Sequence, residues 1–308
     1  MTQPVPIPAA ARESGAAPAA QSHIPVTVIL AVRNEAANLP RCLAALSGFG
    51  EVLVVDSQST DGTPELAESF GCRVVQFHYR GGWPKKRQWA MDTLPLAHDW
   101  VFLLDADEVV TPELAGEIAA AVRRTDVNGY YVGLSMWFLG RALRWGDSSF
   151  EKLSLFRRRK GRYECRLADQ SAAMADMEVH EHVTVEGPTD RLRAKLIHHN
   201  YNDLSRYIQK HDEYSNWESR VLSGLEHARE TIPAKLFGTQ AQRRRWLKTR
   251  FFRLPGSPVL LFLYRYVFRL GFMDGVPGLL YCAFQGIQMF HTKAKIYELA
   301  RKAPAGGR

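Results

Sequence analysis

Asp105 and Asp107 stand one residue apart, with Glu108 beside them, directly after the apolar run Trp100–Leu104. Two carboxylates at that spacing can face one hard cation and one phosphate together. Mg2+ and Mn2+ take one or two carboxylates and complete their shell from substrate phosphates and water. A solvated acidic turn would satisfy the same short pattern, so position is what gives the pair weight. The apolar run reads as a buried strand of a parallel sheet. Thr111-Pro112-Glu113 then supplies an N-cap, a proline at the first helical position and an acid in the first turn. Ligands of open α/β sheets gather at this carboxyl end of the strands.

Other residues share the pattern. Asp56 closes the apolar strand Glu51–Asp56 and is placed to accept hydrogen bonds from a base or ribose. Asp61, in Asp61-Gly62, either joins such a pocket or caps its own turn. Glu178-Val-His180-Glu181-His182 sets carboxylates among imidazoles. Strand alternation puts His180 and His182 on one face and Glu181 on the other, and no third ligand of convincing spacing supports zinc. Glu181 as a general base needs only an acceptor hydroxyl within reach. The basic turn Arg157-Arg158-Arg159-Lys160 could hold a diphosphate or an anionic acceptor, or simply be solvated. No G-x-G-x-x-G follows the first strand and no G-x-x-x-x-G-K-[ST] occurs, so neither standard phosphate loop is present.

These groups need a frame, and the chain spells one. Strands are expected over Pro25–Val32, Glu51–Asp56, Cys72–Phe77 and Trp100–Leu104, with helices from Ala37, Thr63, Gln88 and Thr111 between and after them. Alternating strand and helix at these spacings means right-handed βαβ units, hence an α/β fold with a mostly parallel sheet flanked by helices. Strands over 130–139 and 150–157 follow, then one ending at 196–201, an amphipathic helix over 204–221 and another near 225–240. The domains expected are a disordered leader over 1–24, a catalytic unit over 25–222, a helical region over 223–302 and a disordered tail over 303–308. The leader has no apolar block and is no signal peptide.

Charge divides the chain further. The net +8 arises from 26 Lys and Arg against 30 Asp and Glu in residues 1–234, and 14 against 2 in residues 235–308. The basic end is also aromatic: Arg243, Arg244, Arg245 and Trp246 open it, and Pro258–Tyr264 and Gly275–Phe290 are apolar. Its longest run free of charged residues and histidine, Gly275–Phe290, is 16 residues, short of the ~20 that span a bilayer. Cationic and aromatic residues edging apolar stretches suit an interfacial helix on an anionic membrane, or else a core helix pair with a solvated face. Nucleic acid is not expected, because the aromatics cluster with aliphatics. Four scattered cysteines without C-x-x-C spacing fit a reduced compartment and argue against a cysteine zinc site.

Taken together, Val32-Arg-Asn-Glu35, Val55-Asp-Ser-Gln-Ser-Thr-Asp-Gly-Thr63, Trp83-Pro-Lys-Lys86, Leu103-Leu-Asp-Ala-Asp-Glu108, Val179-His-Glu181 and His198-His-Asn-Tyr201 resemble a family-2 glycosyltransferase of the GT-A fold. The likeness is to the lipopolysaccharide-core β-1,4-glucosyltransferase group and covers about residues 25–220. The resemblance implies that Asn34 or Glu35, with Asp56, meets the nucleotide's base and ribose, with Asp61 in support and Lys86 approaching the nucleotide-sugar. Asp105 would hold ribose or sugar hydroxyls. Asp107, completed by His198, would ligate Mg2+ or Mn2+ on the diphosphate. Glu181 would be the base, and Gly146 falls in a glycine-containing loop near the donor. One departure is that His180 stands where many members have a second acid, which leaves Glu178 as a rival base.

The function so implied is inverting transfer of a hexose, glucose or an N-acetylhexosamine, from a UDP-sugar to a lipid-linked or lipopolysaccharide-type acceptor. The enzyme would be cytoplasmic and peripheral at the inner face of the plasma membrane, with Arg158, Arg243, Arg244, Arg245 and Trp246 toward membrane or acceptor. The alternatives are a nucleotidyltransferase, which would want a glycine- and basic-rich loop where Arg33-Asn34-Glu35-Ala36 stands, and a non-catalytic membrane-docked scaffold.

Overall fold

A computed structural model of the chain describes residues 23–146, 148, 150–165, 182–199, 203–223, 237, 250–252 and 254–302. Glu178, His180, Glu181, Arg243, Arg244, Arg245, Trp246 and nearly all of the helix expected near 225–240 lie outside the described residues, as do 1–22 and 303–308.

Strands β1 (Ile24–Val32), β2 (Phe49–Asp56), β3 (Arg73–Gln76) and β4 (Trp100–Leu104) alternate with helices α1 (Leu39–Ala44), α2 (Thr63–Ser69) and α3 (Lys86–Thr93). They pair in the order β3-β2-β1-β4, all parallel. β1 and β4 are central and apolar on both faces. Trp100, Phe102 and Leu104 pack into one core layer with Val28 and Leu30, while Val101 and Leu103 meet Ile29 and Val55 on the other side. Continuous apolar runs are what a doubly covered parallel strand requires.

The second half corrects the mostly parallel sheet expected. After β4 come β5 (Glu108–Val109), α4 (Pro112–Ala121), β6 (Gly129–Phe138), β7 (Arg141–Ala142) and β8 (Phe150–Arg157), then β9 (Gly161–Tyr163), β10 (Val183–Val185) and β11 (Thr189–His199). The sheet continues β4-β8-β6-β11-β5, where β8 runs antiparallel to both neighbours, β11 parallel to β6, and β5 antiparallel to β11. The β4-α4-β6 crossover leaves a gap one strand wide. The short β6–β8 connection folds β8 back into that gap, as only an antiparallel pair allows. The sheet is therefore mixed, and β9 and β10 form a separate two-stranded ladder.

Helix α5 (Leu204–Ser223) follows, then α6 (Ser257–Leu263), a π-helical turn Tyr264–Phe268, a 3-10 turn Gly271–Asp274 and the long α7 (Gly275–Lys302). A smaller core joins them to the sheet: Met136 and Phe138 at the end of β6 pack with Leu143, Tyr207 of α5 and Tyr281 of α7. Among the described residues no single helix is long and apolar enough to cross a membrane. Ser257–Phe268 and Gly271–Lys302 pass on length and composition only as a pair bent by 71°.

Candidate active site

The carboxyl ends of β1 and β2 lie level, with Val32 paired to Asp56. The loops leaving them interlock. Asn34 adopts φ +54°, a left-handed conformation that asparagine tolerates. Its amide donates to Ser59 Oγ at 2.8 Å, and its Oδ1 accepts from Thr60 N at 2.9 Å. Asp56 is fully buried and accepts from both the amide and the hydroxyl of Ser59. Asp61 accepts from Ala36 N at 3.0 Å through one oxygen and from Thr63 N at 3.1 Å through the other. Burial works against its charge, but the Thr63 hydroxyl and these amides hold its carboxyl below the usual range. Asp61 thus caps its own turn and also ties one loop to the other. Glu35 lies beside them, accepting from Asn38 Nδ2 at 2.7 Å, with its pKa raised chiefly by burial.

The acids after β4 divide their work. Glu108 is fully buried and receives both oxygens' bonds from Lys152 Nζ, at 2.6 and 2.7 Å, and another from the Asp105 amide at 3.0 Å. It anchors the turn. Burial raises its pKa, against the pull of Lys152. Asp105 accepts from Arg87 and, at 3.3 Å, from Lys152. Burial opposes its charge, yet Lys152 and Arg87 outweigh it and keep Asp105 ionised well below the ordinary range.

Asp107 faces a different group. β5 is only two residues long, but its pairing sets His198 opposite Glu108 and Ile197 opposite Val109. The His199 amide donates to the Asp107 carbonyl at 2.9 Å. That register carries His198 Nε2 to 3.3 Å from Asp107 Oδ2, while Lys210 Nζ reaches the same oxygen at 3.5 Å. Burial disfavours charge on Asp107, but Lys210 and His198 hold its carboxyl far below the usual range. His198 is likewise disfavoured by burial, and Asp107 lifts its pKa above the ordinary histidine value.

Adjacent ligands of an octahedral ion with bonds of ~2.1 Å sit about 3 Å apart, close to the Asp107–His198 separation of 3.3 Å. His198 Nδ1 is buried without a hydrogen-bond partner among the described residues. A carboxylate and an imidazole suit Mn2+ or Mg2+ as a two-ligand site. No cluster of three or more His, Cys, Asp or Glu that could hold a metal exists among the described residues. Further ligands would have to come from substrate and water. The residues present fit the ion on those terms.

Other expected site residues are held by groups apart from the Asp107–His198 pair. Lys86 is buried with Nζ donating to the Val32 carbonyl at 2.9 Å, so it braces the end of β1, and its neighbour Arg87 is the one that reaches Asp105. Gly146, at φ +68°, donates its amide to Arg269 O at 2.8 Å, and a Cβ there would sit 3.0 Å from Cys282 Sγ. Its partners are thus in the C-terminal helical region. Arg158 donates to the carbonyls of Met91 and Leu94 at 2.6–2.9 Å, closing the C-terminus of α3. Arg87, Lys152 and Lys210 went unnamed in the sequence. Arg87 alone left a trace, in the basic run Lys85-Lys86-Arg87. His182, next to Glu181, bonds through its backbone with Glu164, at 2.9 Å from the Glu164 amide and 3.2 Å to its carboxylate.

The ends of β1, β2 and β4 and the Asp107–His198 pair thus lie together at the carboxyl edge of the sheet's parallel half. Residues 27–184, just over half of the chain, match glycosyl transferase family 2, and the chain belongs to that family. It is 27% identical to the lipopolysaccharide core biosynthesis glycosyltransferase LpsC of Rhizobium meliloti, over 89% of this chain and 93% of that one. An uncharacterized glycosyltransferase of Rickettsia bellii is 36% identical over 30% of this chain and 31% of its own. Among solved structures, S. aureus TarS 1-349 in complex with UDP-GlcNAc is similar at TM-score 0.45 and 15% identity, over 89% of this chain and 92% of that one. Family membership makes the chain a glycosyltransferase in place of a nucleotidyltransferase.

Proposed function

We propose that this enzyme transfers a hexose, glucose or an N-acetylhexosamine, from a UDP-sugar to a lipopolysaccharide-core or related lipid-held glycan, with inversion at the anomeric carbon. The acceptor class is supported by the likeness to LpsC along nearly the full length of both chains. The observation that carries the donor half is the convergence of Asp107 and His198 at the sheet's carboxyl edge.

In this reading Asn34, Glu35, Asp56 and Asp61 shape the pocket for base and ribose through their interlocked loops. Lys86 contributes indirectly, by holding the carbonyl from which that pocket begins. Asp105, kept ionised by Arg87 and Lys152, accepts from ribose or sugar hydroxyls. Asp107 and His198 hold Mg2+ or Mn2+. A bound ion supplies Lewis-acid neutralisation of the departing diphosphate. Glu181, with Glu178 as the rival, takes the proton of the acceptor hydroxyl as that oxygen attacks from the opposite face of the sugar.

The surface between α6 and α7 is assigned to the membrane, at the inner face where a lipid-held acceptor would sit. Val267, Phe268, Leu270, Phe272, Met273 and Val276 are all exposed there, Phe268 by 76% and Val276 by 67%. So concentrated an apolar surface suits the acyl–headgroup boundary, and in this reading the sequence offers Arg243, Arg244, Arg245 and Trp246 as candidates for phosphate contacts. Asp274 of that turn accepts from the amides of Arg144 and Trp145 at 2.9–3.2 Å, so the loop carrying Gly146 is fastened to the same surface.

Calorimetry against a panel of nucleotide-sugars with Mn2+ tests the donor half. One UDP-sugar should bind, Asp107→Ala should lose that binding, and Glu181→Gln should keep it while losing transfer. Failure of every nucleotide-sugar to bind would overturn the reading. Sedimentation with phosphatidylglycerol vesicles tests the docking surface: Phe268→Ser with Val276→Ser should release the protein, and retention would move the dock elsewhere.

A further inference from the structure

Lys210 has no place in the reaction as described, yet it addresses the oxygen that matters most. Its Nζ lies 3.5 Å from Asp107 Oδ2, the same oxygen that faces His198 Nε2. Its position is built. The Asp203 carboxylate accepts from the Arg206 amide at 2.7 Å, starting α5 about two turns before Lys210. Tyr207 packs between Phe138 and Phe284 with ring centroids 5.2 Å from each. Lys295 of α7 then clamps the helix, bonding Asp212 at 2.7 Å and Ser215 at 2.6 Å. Tyr214, one turn beyond Lys210, hydrogen-bonds to it. The helical region thus aims an ammonium at the carboxylate end of the sheet.

We propose that Lys210 is the resident counter-cation of Asp107 and that it makes metal capture conditional on the donor's diphosphate; this rests on the reading of Asp107 and His198 as metal ligands. A divalent ion joining Asp107 Oδ2 meets the ammonium across one oxygen, and like charges that close repel. Without nucleotide the lysine wins, because Asp107 offers a single negative charge. A diphosphate changes the balance. It brings its own oxygen ligands for the ion and a second anionic site for the lysine, whose four-carbon stem is flexible and whose side chain is 32% exposed. Ion and diphosphate then bind together and each raises the affinity of the other. The same lysine keeps Asp107 from standing uncompensated between turnovers.

The test is the Mn2+ affinity of the full-length protein, read from the electron paramagnetic resonance of free Mn2+, with and without UDP. In the wild type UDP should tighten Mn2+ by more than about tenfold. Lys210→Met should bind Mn2+ alone about tenfold more tightly than the wild type, with the UDP enhancement shrinking in step, while Lys210→Arg should behave as the wild type. Lys210→Gln, judged by the same readout, replaces Lys210→Met if thermal melting shows the latter unfolded. An Mn2+ affinity in the neutral variants equal to or weaker than the wild type's overturns the role of Lys210 and leaves the proposed function standing. Failure of the wild type to bind Mn2+ even with UDP overturns both.

Discussion

Glu108 and His198 face each other across the two-residue pairing of β5 with β11. This contact turns a local acidic sequence into a site. Glu108 points inward and is consumed by Lys152, which fixes the turn. Its neighbour Asp107 is also buried but points to β11 and α5, within reach of both His198 and Lys210.

Removing Lys152 should unfold the turn. Lys152→Met leaves the carboxylate of Glu108 buried without its cation, a defect that typically costs about 3–5 kcal/mol. The midpoint of urea denaturation should fall accordingly, and Lys152→Met with Glu108→Gln should recover much of the loss. Equal midpoints for wild type and Lys152→Met would mean the pair carries no structural weight.

His198→Ala should separate donor recognition from metal binding. Asp107 alone retains one protein ligand, so Mn2+-dependent UDP affinity should drop by about one to two orders of magnitude, while the melting temperature stays within a few degrees. Losses of that size are ordinary when the shell around a metal is weakened. Calorimetry with UDP at fixed Mn2+ decides it.

Asp61→Ala should loosen the proposed nucleotide pocket from beneath. The carboxylate ties Ala36 to Thr63, and a net value near 1 kcal/mol per hydrogen bond predicts a stability loss of about 1–3 kcal/mol. Donor affinity should weaken with it. Thermal melting and donor titration on the same sample would show whether both move.

Acid should destabilise the fold in two stages. His211 stacks on Tyr207 with centroids 4.1 Å apart, and burial pushes its pKa down to about 4. The unfolded chain takes up this proton near pH 6.5 and the folded one does not, so the contribution of His211 is complete above pH 6.5 and declines as pH falls toward 4. The loss amounts to up to about 3 kcal/mol. Asp105 and Asp107, held low in the folded state, contribute stability that is lost only at more acid pH. His211→Phe should flatten the upper stage and leave the lower one, as followed by urea denaturation across the range.

The sequence by itself determined the parallel half of the sheet and the acids at its edge. β1, β2 and β4 are legible because a strand covered on both faces must be apolar throughout, and α4 because Thr111, Pro112 and Glu113 cap it from within three residues. The family was legible for the same reason: Asp56, Asp105 and Asp107 are fixed in sequence relative to strands that announce themselves. Tertiary structure alone decided the rest. Neither β8 nor β11 carries a mark of the neighbour it will choose, since hydrogen-bond ladders are made of backbone that every residue shares. Glu108 could not be told from Asp107 as the member consumed by a lysine until Lys152 arrived from β8. His198 was named by resemblance, but the β5–β11 register is what brings it to Asp107. Lys210 gave no local signal, because a lysine on an amphipathic helix looks solvated until another element supplies the carboxylate it faces.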